Sequence, residues 1–220
     1  MPARTYLRAA GLCLIVSARA GALDLTPLDG SRVVEGVRIP LVLFADPTGR
    51  VRYQPPGDWR YSGDGAVFTL YPPRASSASM KLCVVPHGPG LPEIGAIPSP
   101  ALTKWSQRYV ASDAQELKMV AEMPSPFMLD GKPSREFIFA YKANGQRYQT
   151  SVAVLDWSER EYLTVIVTAG ANDFKTVHDN GIASLFSWSL RKMEVAPAVA
   201  QNPKPGDAVA GVSTPGIRPQ

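Results

Sequence analysis

The chain has 220 residues, with 23 Lys and Arg against 19 Asp and Glu, for a formal net charge of +4. That length suits one domain able to bury a core of its own. Residues 1–22 hold Arg4, Arg8 and Arg19 and no acid. The remainder is therefore one charge from neutral, which excludes the basic footprint of a nucleic-acid-binding protein.

Residues 1–22 read as a secretory signal. Arg4 and Arg8 precede the apolar run Ala9 to Val16, and Ala18-Arg19-Ala20 or Ala20-Gly21-Ala22 supplies small residues for cleavage. The run falls short of the roughly 20 residues a membrane span needs. Cys13 follows Leu12 rather than a small residue, which disfavours a lipoprotein signal. The expected protein is periplasmic or secreted, with no transmembrane span after cleavage. Cys83 is then the one remaining cysteine, so stability comes from the core and not from disulfides.

Ser31 to Ala45 reads as one strand bent near Gly36 and Pro40. Asp46-Pro47-Thr48-Gly49 is a turn, and Val51 to Tyr53 resumes the strand before Pro55-Pro56-Gly57 breaks it. Trp59 to Tyr61 and Ala66 to Tyr71 flank a hairpin turn expected at Ser62-Gly63-Asp64-Gly65. Met80 to Val85 alternates as a further strand. His87 to Pro100 is a Pro- and Gly-rich loop, long for a compact domain and so a candidate functional element. It carries little charge, which suits apolar or peptide contacts.

Pro100 opens a predicted helix with Leu102, Trp105 and Tyr109 on one face. Glu116 to Glu122 reads as an alternating strand. Arg135 to Lys142, Arg147 to Trp157 and Tyr162 to Ala169 form an antiparallel meander, the first pair joined by Asn144-Gly145. Asn172 is expected to cap a final helix with the buried stripe Phe174, Val177, Ile182, Leu185 and Phe186, ending at Trp188. The domain is expected over 23–193, and the Ala-, Pro- and Gly-rich residues 194–220 as a disordered tail.

A strand ending in Tyr53-Gln54-Pro55-Pro56-Gly57-Asp58-Trp59 opens this order of elements, and Tyr162 to Val167, Phe174 and Ile182 to Phe186 close it. Over roughly residues 51 to 190 the chain resembles the PsbP-like group, which includes bacterial DcrB-like periplasmic proteins and a Ran-binding import factor. The resemblance implies an α+β fold, an antiparallel sheet flanked by helices in an α/β/α sandwich. It also implies binding or assembly rather than catalysis, with no catalytic residue to carry over.

The residues themselves offer little chemistry. Cys83 and His87 make one ligand pair, and a structural zinc site needs two; no metal or cofactor is expected. Asp156, Glu159 and Glu161 read as a solvated turn. No complete nucleophile–base constellation or phosphate loop is present. The expected function is an exported, non-catalytic binding or assembly module of the cell envelope. Its partner is an unknown protein or a small apolar ligand, met by the sheet edge near Arg32 to Phe44 or by the Pro-rich loop. The candidate binding residues are Trp59, Tyr61, Tyr71, His87 and Trp157, because aromatic side chains favour interfaces. The alternative is a secreted hydrolase with a dispersed site using His87 or His178 as base.

Overall fold

The structure is a computed structural model that describes residues 22–87, 94, 100–125, 127 and 129–192. The segment expected to be a signal (to residue 21), most of the 87–100 loop and the expected tail from 193 lie outside the described residues.

Eleven strands and two helices are described: β1 (Asp24–Val34), β2 (Val37–Asp46), β3 (Gly49–Tyr53), β4 (Arg60–Asp64), β5 (Val67–Tyr71), β6 (Ser79–Pro86), α1 (Pro100–Ser106), β7 (Gln115–Pro124), β8 (Arg135–Ala143), β9 (Gln146–Ser158), β10 (Glu161–Gly170), α2 (Phe174–Leu185) and β11 (Ser189–Lys192). Every strand pair is antiparallel. The fold class is α+β, as the sequence implied. The strands divide into two sheets, however, rather than one. Four run in the order β1-β2-β3-β11 and seven in the order β4-β5-β6-β10-β9-β8-β7.

The predicted single bent strand Ser31 to Ala45 is a hairpin. Glu35 and Gly36 both have positive φ (50° and 81°) and reverse the chain between β1 and β2. Paired positive φ is the conformation a two-residue hairpin turn demands, and Gly36 adopts it without strain. Pro40 is tolerated inside β2 because β3 pairs with β2 only from Val42 onward, leaving one side of Pro40 open. The turn expected at Ser62 to Gly65 sits later, at Gly65-Ala66, so Ser62 to Asp64 belong to β4.

Alternation along β8, β9 and β10 sends side chains to both faces of the large sheet. One face meets α1: Leu102 and Trp105 pack with Phe137, Phe139, Tyr141, Val152, Val154, Tyr162 and Ile166. The other face meets α2 and the inner face of the small sheet. There Phe44, Val51 and Tyr53 join Phe68, Met80, Leu155, Leu163, Val165, Val177, Leu185 and Trp188. The rings of Phe44 and Phe68 meet edge to face at 5.0 Å. The stripe of α2 is Phe174, Val177, Ile182 and Leu185, with Gly181. Phe186 departs from the expected stripe: it is 70% exposed, because α2 ends at Leu185 and the turn that follows buries Trp188 instead. Asp173, not Asn172, is the N-cap, in αR conformation and without a side-chain cap bond.

Candidate functional site

A concavity lies over α2. The loop Gln54 to Trp59 between β3 and β4, the loop Pro72 to Ala75 between β5 and β6, and one side of α2 enclose a cleft of about 760 Å³. Its depth follows from local sequence. Pro55, Pro56, Pro72 and Pro73 fix the backbone of both loops, since the ring locks φ. Trp59, 8% exposed, anchors the first loop against α2. Gly181 makes that approach fit: a Cβ there would meet Met80 Sδ at 2.8 Å and Trp59 Cη2 at 3.6 Å. Ser187 closes one end by accepting from the Gln54 N–H at 2.8 Å, and the Tyr53 and Ser184 hydroxyls share a bond of 2.7 Å. Burial pushes the Tyr53 phenol far above its ordinary value, despite the Ser184 bond that lowers it. Asp58, Arg74 and Asp173 are the charged residues of the lining, and all three are exposed.

Beneath α2 sits a buried polar cluster. Glu136 on β8 is 1% exposed. Its Oε1 accepts from His178 Nε2 at 2.6 Å and from the Ser151 hydroxyl on β9. His178 stacks on Phe174 and stands 3.4 Å from Asp179, which Lys175 also bonds. Burial alone would raise the Glu136 carboxyl, but the bonds from His178 and Ser151 hold it below its ordinary value. Burial alone would lower the imidazole, but Glu136 and then Asp179 hold it above. The carboxylate stands between the hydroxyl and the imidazole, with both bonded to one oxygen. His178 thus fastens α2 to the sheet.

The predicted site residues do not converge. Trp59 is largely core and borders the cleft. Tyr61 is 38% exposed, packs on Phe68 at 5.4 Å and donates to Asp29 at 3.1 Å. Tyr71 is 41% exposed on the opposite face of its hairpin. His87 packs on Tyr162, with ring centroids 4.0 Å apart, and its Nε2 lies 3.4 Å from Asp156, an ion-pair separation without hydrogen-bond alignment. Trp157 is 5% exposed, donates to Asp46 Oδ2 at 3.1 Å and carries the Lys132 ammonium over its ring at 5.0 Å. Burial pushes the Cys83 thiol up to about 11, so little thiolate forms near neutrality. Among the described residues no group of three or more His, Cys, Asp or Glu converges on a metal position.

No protein-family model matches the chain, and no curated protein does. Among solved structures it is similar to cyanobacterial PsbP (CyanoP) from Synechocystis sp. PCC 6803, at 11% identity and a TM-score of 0.47, over 74% of this chain and 98% of that one. It is also similar to the protein PA94 from Pseudomonas aeruginosa, at 10% identity and a TM-score of 0.42, over 75% and 99% of the two chains.

Two features of the site escaped the sequence. The cleft needs loops 54–59 and 72–75 side by side, and the paired prolines in each were a signal of rigid walls. Glu136 and His178 are 42 residues apart, and only the packing of α2 on β8 joins them.

Proposed function

We propose that the chain is a non-catalytic binding or assembly module that works outside the cytoplasm, and that it takes a small, partly apolar ligand in the cleft over α2. The observation that carries this reading is the cleft itself. Its volume of about 760 Å³ falls in the range of about 300–1,000 Å³ typical of ligand sites. Proline-fixed walls lower the ordering cost of binding. The lining mixes Pro55, Pro56, Pro72, Pro73 and Val177 with the amides of Gln54 and Asn180 and the hydroxyls of Thr176 and Ser184. Such a surface suits a ligand with an apolar body and a polar end. No helix among the described residues is long and apolar enough to cross a membrane.

The test is a thermal-shift screen of the purified protein against a library of small metabolites, repeated on Ala183→Trp. Ala183 is exposed and lines the cleft, so a tryptophan there fills the space without entering the core. Ligands that raise the melting temperature of the wild type are expected to lose that effect in the variant, whose unliganded melting temperature is unchanged. Stabilisation that survives the substitution refutes the cleft. Turnover of a bound compound refutes the non-catalytic reading.

A further inference from the structure

The outer face of the small sheet gathers arginines. Phe44, Val51 and Tyr53 point into the core, so by strand alternation Leu43, Arg50 and Arg52 point outward. The register extends this across the sheet. Arg52 lies opposite Leu43 and Ser189, Arg50 opposite Ala45 and Arg191, and Arg32 opposite Ile39. Arg32, Arg50, Arg52 and Arg191 therefore share one face, and all four are exposed. Arg32 donates to Gln54 Oε1 at 3.2 Å. Among the described residues Arg50, Arg52 and Arg191 make no ion pair. Asp24 stands in the same row, two strands from Arg50, with its Oδ1 taken by the Thr26 N–H.

This arrangement costs the folded chain something. Neighbouring strands lie about 4.8 Å apart, and residues two apart on a strand about 6.6 Å. Arg50 and Arg191 are directly opposed, and Arg52 is the next outward residue. Like charges directly opposite are destabilising, and among the described residues no carboxylate pairs with these arginines. Beside the arginines runs an aliphatic strip on the same face: Leu28, Val34 and Val37 are 46%, 42% and 64% exposed, with Ile39 and Leu43 between them. Guanidinium groups bind carboxylates in bidentate fashion, and arginine beside aliphatic surface is a composition that interfaces use. Glu35 stands at the tip of the hairpin, next to Val34. A carboxylate at the leading point opposes an anionic bilayer, which favours a protein over a lipid surface.

We propose that the outer face of the β1-β2-β3-β11 sheet docks an acidic segment of a partner protein, whose carboxylates pair with Arg50, Arg52 and Arg191 and whose aliphatic side chains cover the strip from Leu28 to Val37. The proposal does not depend on the cleft.

The experiment uses the full chain and three probes: a synthetic peptide of alternating Glu and Leu, its Gln and Leu counterpart, and vesicles of phosphatidylglycerol and phosphatidylcholine. The Glu peptide is expected to bind, and added salt to weaken it. The double variant Arg50→Gln, Arg191→Gln is expected to lose about tenfold or more in affinity, the scale of one charge-assisted hydrogen bond. Its circular dichroism and melting are expected to match the wild type or improve, because the substitution relieves repulsion. Ala183→Trp is expected to bind the peptide as the wild type does, which keeps this result separate from the cleft. Equal affinity for the two peptides, no binding of either, or full binding by the double variant overturns the proposal. Binding to the vesicles without binding to the Glu peptide overturns it in favour of a lipid surface.

Discussion

The two faces of the seven-stranded sheet are covered by different means. On one, α2 and the inner face of the small sheet enclose a continuous aromatic and aliphatic core. A buried carboxylate–imidazole pair is set into that face. On the other, the seven-residue α1 and the short 3-10 turn Gln107–Tyr109 pack over Phe137, Phe139 and Val152. A helix that short has no stability of its own and forms only because Leu102 and Trp105 are buried. The first face both holds the molecule together and shapes the cleft, because α2 is core on its inner side and wall on its outer side. The second carries α1 and, toward its β7 edge, the Arg135–Glu122 ion pair at 2.9 Å, and it shapes no part of the cleft.

The sharpest test of that difference is Leu185→Asp. Leu185 is 1% exposed inside the α2 core. A carboxylate there has no partner, and burying one unpaired costs more than a domain's usual margin of about 5–15 kcal/mol leaves room for once the lost packing is added. No soluble folded protein is expected, as judged by circular dichroism and gel filtration. A variant that melts like the wild type breaks the assignment of α2 as the main buttress. Leu102→Ala probes the other face and is milder. Leu102 is fully buried, and such truncations cost about 2–5 kcal/mol. The loss is expected in urea denaturation, with amide protection falling first across residues 100–109 and leaving α2 protected. Equal loss of protection in α2 would mean that the two faces do not respond separately.

The sequence carried much of the large sheet. The Asn144-Gly145 turn and the alternation of Phe137, Phe139 and Tyr141 locate β8 and β9, and the spacing of Phe174, Val177, Ile182 and Leu185 locates α2. It carried far less of the small sheet. The start of β1 reads Asp-Leu-Thr-Pro-Leu-Asp-Gly, turn-like by composition, and Pro27 falls in the irregular stretch between Asp24 and Leu28. β11 is four residues long and half charged, so no period distinguishes it from the residues after a helix. The partition into two sheets is a long-range choice that local alternation does not encode. β7 misled in another way. Leu117, Met119 and Val120 are all exposed, because β7 is an edge strand with bulges on either side of Lys118 and Met119. The candidate cleft is less legible from the aromatic residues. Trp59 and Trp157 serve the core, and the cleft is built mainly from prolines and small polar residues.

The smallest expected effect, and the one that isolates α2, is a pH dependence from its buried pair. His178 has a raised pKa, so its contribution is fully present below the unfolded imidazole value of about 6.5 and is lost as pH rises through the folded value. Glu136 has a lowered pKa, so its contribution is present above the unfolded carboxyl value of about 4.3 and is lost as pH falls through the folded value. Between about 4.3 and 6.5 both are in force, and the pair is a charged hydrogen-bonded clamp. The other groups facing the imidazole are Asp179 and, through it, Lys175, both on α2. Lys175 holds the Asp179 carboxyl below its ordinary value, so Asp179 stays ionised across this window and favours the charged imidazole. Stability from urea denaturation is therefore expected to be level across the window and to decline on the alkaline side as His178 loses its proton. His178→Gln retains a donor for Glu136 but cannot titrate. It is expected to abolish the alkaline decline while leaving the acid decline in place. An alkaline decline that persists unchanged in His178→Gln would mean that the clamp beneath α2 does not govern how firmly this face of the sheet is covered.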